Sequence, residues 1–364
     1  MTFPRLRRLA WLGVLLATLP AAHARAGEPS REVEEDPFAF FRSTIELSDS
    51  QRERLARGQV VTEMLPADGL QVGFFGAVAV KARAPVLLDL LHRIGDFREG
   101  PRVLETREFS NPPQLADLDR LALPDQDLDE LRRCEPEDCD LKLTDREIRR
   151  IQGVVRRSGD DWRAELQREF RKLVLERTRT YLTSGHTRTP PLQSSSEPID
   201  LDVRVSELLR KMPTLTAQLP ALTAYLEHYP DVPLPRGAES FLYWTVEDLR
   251  RPVVVVRHVV TLRGQSGSRQ PLVISVSKQV LATHYLDASI GVTCLIRGEP
   301  GSPHNYFVYL NRSALDFLDG FPAWLRRRLV SRGVESEGAK LLLYIRDRIE
   351  RRARRLEVND QARY

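Results

Sequence analysis

Between Val254 and Leu310 the chain alternates apolar and polar side chains with a period of two, and no other feature restricts its fold as tightly. Val254, Val256, His258, Val260 and Leu262 share one parity. Leu272, Ile274 and Val276, then Val280, Ala282, His284 and Leu286, then Ala288, Ile290, Val292, Cys294 and Ile296 continue it. Successive side chains of a strand point to opposite faces, so the pattern describes a sheet with one apolar face. From Leu272 to Ile296 the parity holds for about 25 residues, roughly 80 Å as a single strand, which is longer than strands reach. Turns or bulges must divide it, with Asp287 and the stretch from Ser277 to Gln279 as the expected places. Tyr306 to Leu310 adds a last strand.

Upstream, Gln59 to Leu65 and Leu70 to Ala82 flank Pro66-Ala67-Asp68-Gly69, whose Pro and Gly suit a tight turn between antiparallel partners. Val72, Phe74, Gly76, Val78 and Val80 share one face of the second strand. Pro85 opens a leucine-rich helix closing near Gly95, and Arg102 to Phe109 reads as a further strand. Ser48 with Gln51, and Thr144 with Glu147, form capping boxes. Trp162, Leu166, Phe170, Leu173, Val174 and Tyr181 repeat at helical spacing up to Gly185. Shorter helices are expected from Val203 to Met212 and from Leu215 to Tyr229, punctuated by prolines. These central helices could cover a sheet edge or the mouth of a pocket, or build a core of their own. At the far end, Leu342, Ile345, Ile349 and Leu356 form one stripe of a helix from Ala339 to Leu356. Arg346, Arg348, Arg352 and Arg355 are expected to face outward.

A strand, a leucine-rich helix, further antiparallel strands and a long C-terminal helix follow the order of a curved sheet gripping a helix. Over Gly69 to Phe109 and Glu239 to Leu356 the chain resembles the START-like helix-grip superfamily, which includes lipid-transfer domains and polyketide cyclases. Gly320-Phe321-Pro322-Ala323-Trp324-Leu325 looks like the lead-in to that family's closing helix. The resemblance implies an α+β fold with a curved antiparallel sheet packed on the C-terminal helix. It also implies a cavity between them for a sterol, fatty acid or other apolar molecule. The helical stretch from Pro113 to about Pro235 departs from the pattern as an insertion. The expected layout is a signal peptide at 1–26, a flexible leader at 27–45, a first part of the START-like domain at 46–112, the insertion at 113–235 and a second part at 236–364.

The start of the chain gives an address. Arg5, Arg7 and Arg8 precede an apolar run from Leu9 to Leu19, and small residues follow at Ala22-His23-Ala24 or Ala24-Arg25-Ala26. That is the plan of a secretory signal peptide, with an apolar run too short to span a bilayer. A periplasmic or secreted protein is expected. Removing the four arginines of this segment leaves 51 basic side chains against 51 acidic ones, so the sequence pI near 9.0 gives no reason to expect a nucleic-acid partner. Ten acids crowd the stretch from Asp117 to Asp140, and the C-terminal helix is arginine-rich. Opposite solvated faces account for this, with a peripheral contact between that helix and an anionic membrane as the alternative. In an oxidising compartment Cys134 and Cys139 are expected to form a local disulfide, with Cys294 a buried, inert thiol.

No nucleophile elbow, P-loop, dinucleotide fingerprint or paired metal-binding histidines occur, and neither a metal nor another cofactor is expected. His258 and His284 interrupt apolar faces, and Tyr285, Asp287, Tyr309, Asn311 and Arg312 cluster at nearby strand ends. Together these seven are the candidate ligand-binding residues, although core packing and turn chemistry also explain them. The expected function is that of an exported binding protein that shields or carries a lipid or other apolar small molecule. An enzyme using His284 with Asp287, or an envelope interaction module, are the alternatives.

Overall fold

The computed structural model describes residues 36–136, 138–192, 198–264, 270–299, 301–316 and 323–361, and in the last of these the side chains of 333–359. The signal peptide, the leader up to residue 35, the Gly320 lead-in and the loop around Ser266 lie outside the described residues. Helix α1 (Asp49–Ala56) precedes the hairpin β1 (Val61–Leu65) and β2 (Gln71–Val80). Helices α2 (Ala84–Leu91) and α3 (Ile94–Arg98) then lead to β3 (Val103–Glu108). The insertion follows as α4 (Asp125–Arg133), α5 (Asp145–Arg157), α6 (Trp162–Ser184), α7 (Leu201–Arg210), α8 (Pro213–Gln218) and α9 (Pro220–Glu227). Strands β4 (Ala238–Asp248), β5 (Pro252–Arg263), β6 (Val273–Ala282), β7 (Leu286–Ile296) and β8 (Asn305–Leu315) precede α10 (Ala323–Gln361). No described helix is long and apolar enough to cross a membrane.

The strands form one curved antiparallel sheet in the order β1-β2-β8-β7-β6-β5-β4-β3, giving an α+β fold in a helix-grip arrangement. The Pro66–Gly69 turn joins β1 to β2 as expected, with Gly69 at φ 60°. The long parity run is divided at residues 283–285, where Tyr285 takes φ 61°, and not at Ser277–Gln279, which lies inside β6. Two bulges supply the remaining adjustment: Val280 is an extra residue of β6 opposite Val256 and Arg257, and Asp287 an extra residue of β7 opposite β8.

Both faces of the sheet are covered. On one face lie Phe74, Val78, Val80, Phe307 and Leu295, packed against α2 and against Leu342, Ile345 and Ile349 of α10. Contact here is close. A side chain at Gly76 would meet Leu342, and one at Gly338 would enter the Phe74 ring. Each buried Leu or Ile of the α10 stripe contributes about 1.5–3 kcal/mol. The expectation that the arginines of α10 face outward is corrected for three of the four. Arg348 donates to the Asp96 carbonyl and to Glu99 at 2.9 Å, Arg352 pairs with Asp89 at 2.6 Å, and Arg346 donates to the Gly58 carbonyl at 3.0 Å. A helix gripped along its length must seat its long side chains on neighbouring loops, and only Arg355 of this set is exposed.

The insertion covers the opposite face. Leu242, Trp244, Val246, Val254 and Val256 pack on α4, α5 and α6, while Val260, Ile274, Val276, Ile290, Val292 and Cys294 pack on α7, α8 and α9. The apolar parity that dominates the sequence therefore points into the insertion and away from α10. Structure also starts earlier than Leu47, because Phe38, Phe40 and Phe41 are buried in this layer. Cys134 and Cys139 form a disulfide that closes the loop after α4, and Gln152 of α5 donates to the Cys134 carbonyl at 2.6 Å. Cys294 is free and buried, and burial pushes its thiol well up, as an inert cysteine requires.

Candidate functional site

The parity opposite to the apolar one carries Ser275, Ser277 and Gln279 on β6, Ser289, Gly291 and Thr293 on β7, and Tyr309, Asn311 and Ser313 on β8. The pairings Ser277↔Gly291, Gly291↔Asn311 and Ser289↔Ser313 set them side by side. They share the face of Phe74 and Phe307, so they are the floor beneath α3 and α10. Central strands covered on both sides ordinarily leave nothing exposed. Yet Ser277, Tyr309 and Asn311 are part-exposed and Thr293 retains 9%. The layer above does not cover them fully.

One edge of this floor is charged. Tyr243↔Arg257 and Arg257↔Gln279 are register pairs, so Tyr243, Arg257 and Gln279 lie in a row across β4, β5 and β6. Arg98 of α3 donates to Glu247 of β4 at 2.6 Å. Burial pushes the Glu247 carboxyl up, but Arg98 and Arg257 outweigh it and hold the group below the usual carboxylate range. Burial also raises Tyr243 despite the same two arginines. Ser313 Oγ donates to Asn311 Oδ1 at 2.8 Å and lies 3.0 Å from Ser289 Oγ, which accepts from Asn311 Nδ2 at 3.3 Å and from Arg257 Nη1 at 3.5 Å. Arg257 Nε and Gln279 Oε1 are buried without a partner. A floor of small neutral polar groups with one guanidinium at its edge can bind and orient a polar molecule. It offers no nucleophile and base in contact.

Of the seven candidates from sequence, Tyr309 and Asn311 stand on this floor. The others do not join them. His258, fully buried on the insertion side, hydrogen-bonds Tyr181 and Ser240 at 2.7 Å each, and burial drives it down to about 3. Arg312, on that same face, donates to the Pro66 carbonyl at 3.0 Å and holds the β1–β2 turn. Tyr285 sits in the β6–β7 turn. His284 lies 3.2 Å from Asp127, and Asp287 accepts from the buried Lys142 at 2.7 Å, so the supposed His284–Asp287 pair does not form. His258 and His284 are six residues apart in register, roughly 20 Å along the strands.

Three other groupings invite chemistry. Asp127, Glu130 and His284 bring ligand atoms within 4.8 Å of one another, but Arg251 already bridges both carboxylates and offsets one of their two charges. An open groove of about 650 Å³ runs between α3, β3 and residues 116–120. Its charges are largely mutually satisfied, as in Arg93–Asp96 and Arg120–Glu105. Beside His258 on the insertion side, Lys278 is 2% exposed and donates to the Leu226 carbonyl at 2.6 Å, above the Tyr181 ring at 5.0 Å. Burial lowers it to about 7, and His186 next to it falls well below its ordinary value. This cluster lies beneath α6 and α9, with Tyr229 its part-exposed member.

Comparison of the chain with family models, with curated proteins and with solved structures finds no match. Arg257, Gln279, Ser289 and Ser313 were missed by sequence reasoning, yet a signal was present. From Val273 to Ser313 the polar parity of β6, β7 and β8 carries no charged residue other than Asp287 at the bulge, whereas a solvated strand face ordinarily carries Lys and Glu.

Proposed function

We propose that the protein is an exported binding protein of the START-like helix-grip kind. It holds a small lipid-like molecule between α10 and the sheet, to shield or carry it in the cell envelope. One observation carries this reading: Ser277, Tyr309 and Asn311 are part-exposed in the middle of a sheet covered on both faces. A cavity between layers is the usual form of a small-molecule site. The floor adjusts the ligand. Serines, Asn311 and Arg257 would lose hydrogen bonds to water against a wholly apolar sterol, so the occupant is an amphiphile with a polar end. Exposed Arg351, Arg354 and Arg355 on the last turns of α10 support a peripheral approach to an anionic membrane from which such a molecule is taken up.

Native mass spectrometry of the full chain, purified without detergent, tests this. A bound small molecule is expected, and Ser277→Trp, which fills the space, should lose it while keeping the wild-type far-ultraviolet dichroism. A wild type that is consistently empty, or a Ser277→Trp variant that keeps the adduct, would overturn the proposal.

A further inference from the structure

The charged edge of the floor does not balance. Arg98 and Arg257 bring two positive charges, and Glu247, bonded to Arg98, brings one negative charge. Arg257 is 8% exposed, and among the described residues no carboxylate oxygen lies within 4.0 Å of its guanidinium. Two buried guanidiniums that share one carboxylate leave a net positive charge, which an arriving anion would offset. Arg257 is the first residue of β5 past the Val280 bulge, paired with Gln279 in the register that runs on to Arg263, and its Nη1 lies 3.5 Å from Ser289 on β7. Nε has no partner, Nη1 makes a long contact at 3.5 Å, and Nη2 bonds to no described residue, so the Nε–Nη2 edge of the guanidinium, the side that matches a carboxylate, is left open. Ser313 Oγ gives its one proton to Asn311 Oδ1 at 2.8 Å, so Ser289 Oγ donates to Ser313 and accepts from Asn311 and Arg257.

Resting on the binding role proposed above, we infer that Arg257 is the receptor for a carboxylate. The ligand is a monocarboxylic amphiphile whose acid group docks on Arg257 Nε and Nη2. Its apolar body lies over Tyr309, whose side chain with that of Ser277 covers Gly291, between Phe74 and Phe97. Phe74 stands 6.3 Å from the Tyr309 ring, and Phe97 packs in the same layers. A single carboxylate supplies the one charge that is lacking, and Gln279 Oε1 can accept from a hydroxyl on the ligand.

Equilibrium dialysis of the full chain against radiolabelled decanoate, methyl decanoate and decanol tests the inference without knowledge of the natural ligand. Decanoate should bind about tenfold or more tightly than the ester or the alcohol, the difference a charge-assisted hydrogen bond makes. Arg257→Met should reduce decanoate to the level of the ester, and Arg257→Lys should fall between them. Equal binding of acid and ester by the wild type would overturn the carboxylate assignment and leave the binding role standing. So would an acid preference that survives Arg257→Met. Binding of none of the three by the wild type would overturn the site itself.

Discussion

Lys278→Met should stabilise the protein and flatten its response to alkaline pH. Lys278 sits 2% exposed among Tyr181, Tyr229, His258 and His186, with Asp202 as the carboxylate that partly offsets its burial. Burial lowers the amine from 10.5 to about 7. The unfolded chain therefore binds the extra proton between pH 7 and 10.5, and stability rises with pH across that window. Below about pH 7 both states are charged and the full cost is present. At ~1.4 kcal/mol per pH unit, the remaining cost at pH 8 is about 3 kcal/mol. Methionine removes it and conserves volume, but leaves the Leu226 carbonyl without its donor, a loss of about 1–2 kcal/mol. The net gain at pH 8 should be about 1–2 kcal/mol. Urea unfolding followed by tryptophan fluorescence at pH 7.5, 8.5 and 9.5 measures it. The wild type should close on the variant by ~1.4 kcal/mol per pH unit, because only it holds the titrating amine. Parallel pH profiles, or a variant less stable than wild type at pH 8, would refute the argument.

Two further tests concern the frame. Gly338→Leu puts a side chain into the Phe74 ring and should cost about 1–3 kcal/mol, whereas Gly333→Ala, which meets nothing within 4 Å, should stabilise α10 by about 0.5–1 kcal/mol; thermal melts of both variants would show opposite shifts. Alkylation and intact mass of non-reduced protein should leave Cys134 and Cys139 unmodified, and the double serine variant should lose only about 2 kcal/mol, since the loop it frees is short.

Much of the fold was legible because its signals are local. The Pro66–Gly69 turn, the Ser48 and Thr144 caps and the Leu342–Ile349 stripe each rest on neighbouring residues, and each stands where expected. What escaped was which layer covers which face. A period of two separates the faces of a strand but does not say what packs on either, so the apolar parity of β5 to β7 was assigned to α10 when it belongs to the insertion. The candidate site inherits that error. His258 and Arg312 follow the apolar parity and fall on the wrong side, while Tyr309 and Asn311 follow the other. Arg257 was hidden for a different reason. An arginine between Val256 and His258 reads as a solvent-facing residue until both faces are known to be covered.

The strand order has a consequence for how this chain reaches its fold. Gln71 of β2 pairs with Ala314 of β8, and the layer above them closes only when α10, the last element, is present. Contacts so distant in sequence make folding slow, because loop-closure entropy is lost before they form. An emerging chain thus has its β1–β2 hairpin and its helices but no finished sheet until nearly all of it has been synthesised. Delayed closure of this kind keeps a polypeptide threadable, which is the condition a translocation pore imposes on whatever passes through it.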